Sequence, residues 1–159
     1  MLLPEQAVIL LVEDREDDVL LVRRAFERAG VTNALYVARD GEEAISYLEG
    51  TGKYAKRDEY PIPDIMLLDI KMPKVDGFEV LKFVRSRAEF KGLRVILLTS
   101  SEEISEVNRG YELGANSFLV KPLEFENYAA MMRTLSSFWL HHSSNPGVSR
   151  PPQTGKKER

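Results

Sequence analysis

The 159 residues contain no cysteine, so disulfides, thiolate metal sites and cysteine nucleophiles are excluded. No apolar run approaches the roughly 20 residues of a membrane span. The N-terminus, Met1-Leu2-Leu3-Pro4-Glu5, lacks the basic region, long apolar stretch and small-residue cleavage site of a secretory signal. An excess of positive charge is also missing, since the formal net charge is -3. Residues 142–159 carry Arg150, Lys156, Lys157 and Arg159 against Glu158 alone, about +3, which leaves the preceding body near -6. An acidic body offers no electrostatic footprint for DNA. Cytoplasmic residence, without membrane or DNA contact, is the expectation. The basic end, rich in Ser, Pro and Gly, is expected to be a flexible tail.

What the chain does have is a set of short apolar runs. Residues 7–12 (AVILLV) and 65–68 (IMLL) are unbroken, as suits strands buried on both faces of a sheet. Residues 34–38, 94–98 and 117–120 read as three more strands. Apolar residues at three- and four-residue spacing predict helices over 14–30, 42–49, 77–86, 102–113 and 124 to about 141. Strands alternating with helices mean an α/β fold: a doubly wound, five-stranded parallel sheet with five helices. The ordered domain is expected to span 1–142 and the tail 143–159, with no output domain. Residues 50–63 form a connection longer than most in α/β units, expected to be an exposed excursion. Gly110, inside the fourth helix, costs about 1 kcal/mol relative to Ala and is expected to loosen that segment.

The strands end in chemistry. Glu13-Asp14 follows the first, Asp69 the third, Thr99 closes the fourth and Lys121 follows the fifth. In a doubly wound sheet these ends share one edge, where open α/β sheets hold their ligands. Carboxylates gathered there repel one another, so they shift their pKa values, pair with a cation or bind a metal. Oxygen-only ligation selects a hard divalent ion, Mg²⁺ above all. A metal, the Lys121 ammonium and the Thr99 hydroxyl around one carboxylate suit a transferring phosphoryl group, with Asp69 as its nucleophile.

The acid pair Glu13-Asp14, the strand and turn LLDIKMPKVDG, Thr99-Ser100 and Lys121-Pro122 together resemble the receiver domain of the two-component response-regulator family. The resemblance runs over residues 7–141. It implies a flavodoxin-like, CheY-like sheet of strand order 2-1-3-4-5. It also implies that Asp69 accepts a phosphoryl group from the phosphohistidine of a sensor histidine kinase. Asp14, Asp69 and the Lys71 carbonyl would ligate Mg²⁺, with Glu13 acting through water. The peptide before Pro122 would be cis, and Phe118 would be the switch aromatic working with Thr99. Such a protein is not an enzyme beyond its own phosphorylation and dephosphorylation. It signals through the face of the fourth helix, fifth strand and fifth helix, and there it is expected to homodimerise. The long loop and Ser137-Phe138-Trp139-Leu140 further resemble regulators that serve bacterial phytochromes.

Two rivals fit less well. A phosphatase of the haloacid-dehalogenase type needs a second Asp two residues after the nucleophile, where this chain has Lys71. A flavodoxin-like electron carrier needs a Ser/Thr-rich phosphate loop, where this chain has Glu-Asp-Arg-Glu-Asp-Asp. Phe138 and Trp139 are adjacent and cannot share a helix face, so either one packs on the core with the other exposed, or one reaches a partner. His141-His142 reads as a fraying helix end.

Overall fold

Unbroken apolar runs make strands that need cover on both faces, and the helices between them supply it. The computed structural model describes residues 6–100 and 103–142, the last three as backbone alone. The elements in order are β1 (Ile9–Val12), α1 (Glu16–Ala29), β2 (Leu35–Ala38), α2 (Gly41–Glu49), β3 (Ile65–Leu68), α3 (Gly77–Ser86), β4 (Arg94–Thr99), α4 (Ile104–Glu112), β5 (Ser117–Val120) and α5 (Phe125–Leu135). All strands pair in parallel, in the order β2-β1-β3-β4-β5. The five-stranded, doubly wound architecture read from the sequence is the one observed.

Alternation along the strands sorts the core into two layers. Leu10, Val12, Met66, Leu68, Val95 and Leu97 face α2 and α3, while Ile9, Leu11, Ile65, Leu67, Ile96 and Leu98 face α1 and α5. Asp40 starts α2 by accepting the Glu43 amide at 2.7 Å, and Asp76 starts α3 by accepting that of Glu79 at 2.9 Å. These caps also aim the loops that follow β2 and β3.

Three segments hold contacts that residue order does not show. The 50–63 connection is exposed at residues 51–53, 55, 56, 58 and 59 but anchored: a 3-10 turn at Gly52–Ala55 buries Tyr54, whose ring meets those of Tyr47 and Tyr60 at centroid distances of 5.0 and 4.9 Å. Arg57 donates to the carbonyls of Tyr47 (2.7 Å) and Leu48 (2.8 Å), satisfying the end of α2. Tyrosines at irregular spacing carry no periodic signal, so the packing was invisible in one dimension. Gly110 also has a packing role. A Cβ there would lie 2.5 Å from Leu97 Cδ1 and 3.4 Å from Phe118 Cδ2, so the bare glycine is what lets α4 sit against the sheet. The last helix changes register, α5 passing into a π-helical segment at Ser136–His142. Side-chain spacing over seven residues does not separate that hydrogen-bond register from an α-helix. Trp139 packs on the α1/α5 layer, with Arg94 5.4 Å over its ring, and Phe138 is 55% exposed. Residue 102, read above as the start of the fourth helix, lies outside the described residues with residue 101, as do the tail and the side chains of Leu140, His141 and His142.

Arg85 fastens the lower end of the α3–β5 half. It donates to the carbonyls of Gly114 (2.9 Å), Leu93 (2.9 Å) and Phe90 (3.3 Å), and to Asn116 Oδ1 (2.9 Å), which also accepts the Val95 amide. Arg85→Ala is expected to cost about 2–3 kcal/mol, because hydrogen bonds to a charged group exceed neutral ones and their acceptors are left behind. Urea denaturation measures this, and a loss under about 0.5 kcal/mol would mean that water replaces the guanidinium freely.

Candidate functional site

The register of the central strands builds the site. Val12 pairs with Leu68 across β1 and β3, so the residues that follow them, Glu13 and Asp69, emerge side by side. The Asp69 amide donates to the Val12 carbonyl at 3.1 Å, which keeps the two chains together one residue beyond the strands. On the other side Thr99 pairs with Val120, and the Lys121 amide donates to the Thr99 carbonyl at 2.7 Å. Lys121 therefore leaves β5 beside the end of β4 and reaches over it.

Its ammonium lies 2.6 Å from Glu13 Oε2, 3.3 Å from Asp18 Oδ2 and 3.4 Å from Asp69 Oδ2. Glu13, Asp69 and Thr99 are buried, whereas Asp14 is exposed at the rim. Phe118 lies half-buried on β5 beneath Gly110 of α4. Lys71 sits in the loop after β3, its side chain exposed along an open cleft of about 490 Å³ shared with Asp76, Phe78, Glu106 and Arg109. No peptide bond among the described residues is cis, so the one before Pro122 is trans, contrary to the resemblance, and Lys121 reaches the carboxylates with it so. Asp18 escaped the sequence reading. The signal was present as five acids in residues 13–18, but only the path of α1 shows which one turns inward.

Glu13, Asp14 and Asp69 each bring a carboxylate oxygen within 4.8 Å of the others. An all-oxygen set of this density, without His or Cys, fits a hard divalent cation. The electrostatics show the same crowding. Burial first, then the Asp69 charge, push the Glu13 carboxyl up to about 7, against the downward pull of its hydrogen bond from Lys121. Burial works against the charge on Lys121, but Glu13, Asp69 and Asp18 outweigh it and hold the ammonium above its ordinary value.

A pH dependence follows. Between the ordinary carboxyl value of 4.5 and about 7, the folded chain keeps a proton on Glu13 that the unfolded chain has released. Stability in chelator should therefore fall as pH rises through that window, by up to about 3 kcal/mol from this group. Thermal melts from pH 5 to pH 8 measure it. Glu13→Gln should flatten the slope, and an unchanged slope in that variant would assign it to other groups.

Comparison with known proteins adds an independent line. The family described as response regulator receiver domain matches residues 9–133. The probable methanogenesis regulatory protein FilR2 of Methanothrix harundinacea is 37% identical over 143 residues, 88% of this chain and 88% of its own length. Response regulator Rcp1 of Synechocystis sp. is 34% identical over 141 residues, 89% of this chain and 94% of its own. Among solved structures, response regulator RPA3017 in red light signaling of R. palustris has a TM-score of 0.85 at 34% identity, covering 89% of this chain and 99% of that one. The phosphorylated cyanobacterial phytochrome response regulator RcpA gives 0.82 at 31% identity, with the same coverages. The Mn(2+)-bound form of Rcp1 gives 0.78 at 34% identity, again covering 89% and 99%.

Proposed function

The chain belongs to the response regulator receiver domain family of two-component signalling, and from that premise we propose that residues 1–142 form a receiver whose Asp69 accepts a phosphoryl group from a sensor histidine kinase. The observation that carries this reading is the convergence of Lys121 on Asp69 and Glu13 from a different strand, at 3.4 and 2.6 Å. An Asp69 carboxylate oxygen attacks phosphorus. The O–P bond forms as the N–P bond of the donor phosphohistidine breaks, and the electron pair leaves with the imidazole nitrogen. Lys121 takes one phosphoryl oxygen as an ammonium donor, and the Thr99 hydroxyl, buried at the end of β4, donates to another. Asp14, Asp69 and the carbonyl of Lys71, with Glu13 through water, would hold Mg²⁺. Once bound, the ion neutralises charge on the phosphoryl oxygens.

The output side of this proposal rests on Phe118, wedged between β5 and Gly110 of α4. A shift of Thr99 toward the phosphoryl group would leave room into which Phe118 repacks, altering the face of α4, β5 and α5. Ile104 and Tyr111 of α4 are 76% and 50% exposed, as suits a surface that meets another protein. A second copy is the proposed partner there, and sedimentation showing only monomer after phosphorylation would rule it out. RPA3017 and RcpA, named for red light and phytochrome signalling, favour a phytochrome-like kinase as donor.

The direct test is incubation with acetyl phosphate and Mg²⁺, followed by intact-mass and peptide mapping. A single adduct of about 80 Da, one phosphoryl group, is expected on the peptide containing Asp69. No adduct, or an adduct on a different peptide, would overturn the assignment.

A further inference from the structure

The loop that leaves Asp69 is held at two points, and the second lies on another element. At its base the Gly77 amide donates to the Ile70 carbonyl at 2.9 Å. On its far side Val75 meets Gly41, the first residue of α2. A Cβ at Gly41 would lie 2.3 Å from the Val75 carbonyl oxygen and 2.8 Å from both Val75 Cβ and Cγ1. The bare glycine is a seat on which the backbone of the loop rests directly.

The seat itself cannot retreat. Ala38, three residues earlier, is paired with Val12 in the sheet. The Glu43 carboxylate is held on both oxygens: Oε2 accepts the Arg39 amide at 3.2 Å and Oε1 accepts the Tyr54 hydroxyl at 2.6 Å. The Arg39 guanidinium pairs with Glu16 of α1. Through Tyr54, the 50–63 connection is thus one support of the corner that carries Gly41.

Nor is the loop slack. Ile70 and Met72 are buried, the ring of Pro73 fixes its φ, and Lys74 holds a left-handed backbone at φ 65°. Few torsions remain free between Met72 and Val75, so a displacement at Val75 passes back to Lys71. Mg²⁺ demands near-ideal octahedral ligands at about 2.0–2.1 Å, and it tolerates little movement of a backbone ligand.

We infer that Gly41 is a positioning residue for the cation: by seating Val75 against α2, it sets where the Lys71 carbonyl stands relative to Asp14 and Asp69. The inference rests on the reading of those three residues as Mg²⁺ ligands and deepens it, because it assigns control of cation affinity to the corner between β2 and α2.

Mn²⁺ is a suitable probe, since it shares the hard oxygen chemistry of Mg²⁺ and its free form is counted directly by electron paramagnetic resonance. In the full chain, Gly41→Ala should weaken Mn²⁺ binding about tenfold and lower Tm in chelator by about 3–6 °C. Gly110→Ala places its methyl group against Leu97 and Phe118 instead of the loop. It should lower Tm as well, yet leave Mn²⁺ affinity within about 1.5-fold of wild type. Val75→Ala removes only side-chain atoms from the contact, and it should weaken Mn²⁺ about two- to threefold even if Gly41→Ala does not fold. Wild-type affinity in Gly41→Ala or in Val75→Ala would overturn the inference. So would an equal loss in Gly110→Ala, which would tie affinity to general stability. Failure of the wild type to bind Mn²⁺ is a different result, and it would overturn the metal-site reading itself.

Discussion

Asp69→Asn is expected to abolish the phosphoryl adduct and, in the same protein, to raise the melting temperature in chelator. The first effect follows from the chemistry, because an amide oxygen is too weak a nucleophile to displace the donor's leaving group. The second follows from the crowding. Glu13, Asp14 and Asp69 have oxygens within 4.8 Å of one another, where each pair of full charges costs about 3.5 kcal/mol at an effective dielectric near 20. Lys121, at 3.4 Å, offsets part of that for Asp69. Two repulsions against one attraction leave a net gain of about 1–2 kcal/mol on neutralisation. For a domain of this size that is a rise of about 2–8 °C, largest above pH 7 where Glu13 is ionised. Mg²⁺ should raise the wild-type Tm by binding the folded form alone, and raise that of the variant much less. Differential scanning calorimetry with and without chelator, beside intact-mass analysis, reads both effects. Equal melting of the two proteins in chelator would show that the carboxylates do not strain the fold.

Gly77→Ala should damage the protein more than any other single methyl group. The residue opens α3 directly after the loop that leaves Asp69, and its amide donates to the Ile70 carbonyl at 2.9 Å. A Cβ at this position would lie 2.2 Å from the Asp69 carbonyl oxygen and 2.8 Å from Ile70 Cα. Both are backbone atoms, so no rotamer relieves the overlap. Either α3 retreats from the Asp76 cap and the core it covers with Phe78, Val80 and Leu81, or the Asp69 backbone shifts out of line with Glu13 and Lys121. The expected loss is about 3 kcal/mol, the upper part of the range for overpacking, or about 6–12 °C in Tm. Thermal denaturation measures it, and acetyl-phosphate labelling of the surviving folded protein should be slowed as well. A Tm within about 2 °C of wild type would show that the loop yields without cost.

Much of this was legible in one dimension because it depends on period and punctuation. Runs such as ILLV and IMLL cannot face water on either side, so they dictate strands covered by helices, and the alternation of the two dictates a parallel sheet. Acids, a hydroxyl and an ammonium placed where each run stops then share an edge, whatever the details of packing. Glu13, Asp14, Asp69, Thr99 and Lys121 were readable for that reason. The residues missed or misread act through contacts between elements. Asp18 is one acid among five until α1 is docked. Tyr54 and Arg57 looked like loop polarity, yet they close the end of α2. Gly110 looked like a weak point in a helix and is a close contact.

Hydrophobic periodicity and strand termination are local properties of the chain, so five strands alternating with five helices, and the polar groups at the strand ends, could be read from residue order alone. Which carboxylates share the Lys121 ammonium, and which glycines are required by close approach, became visible once the elements were docked against one another. Those depend on distances of a few ångströms between segments as much as 108 residues apart, and electrostatic and steric energies change steeply over that range.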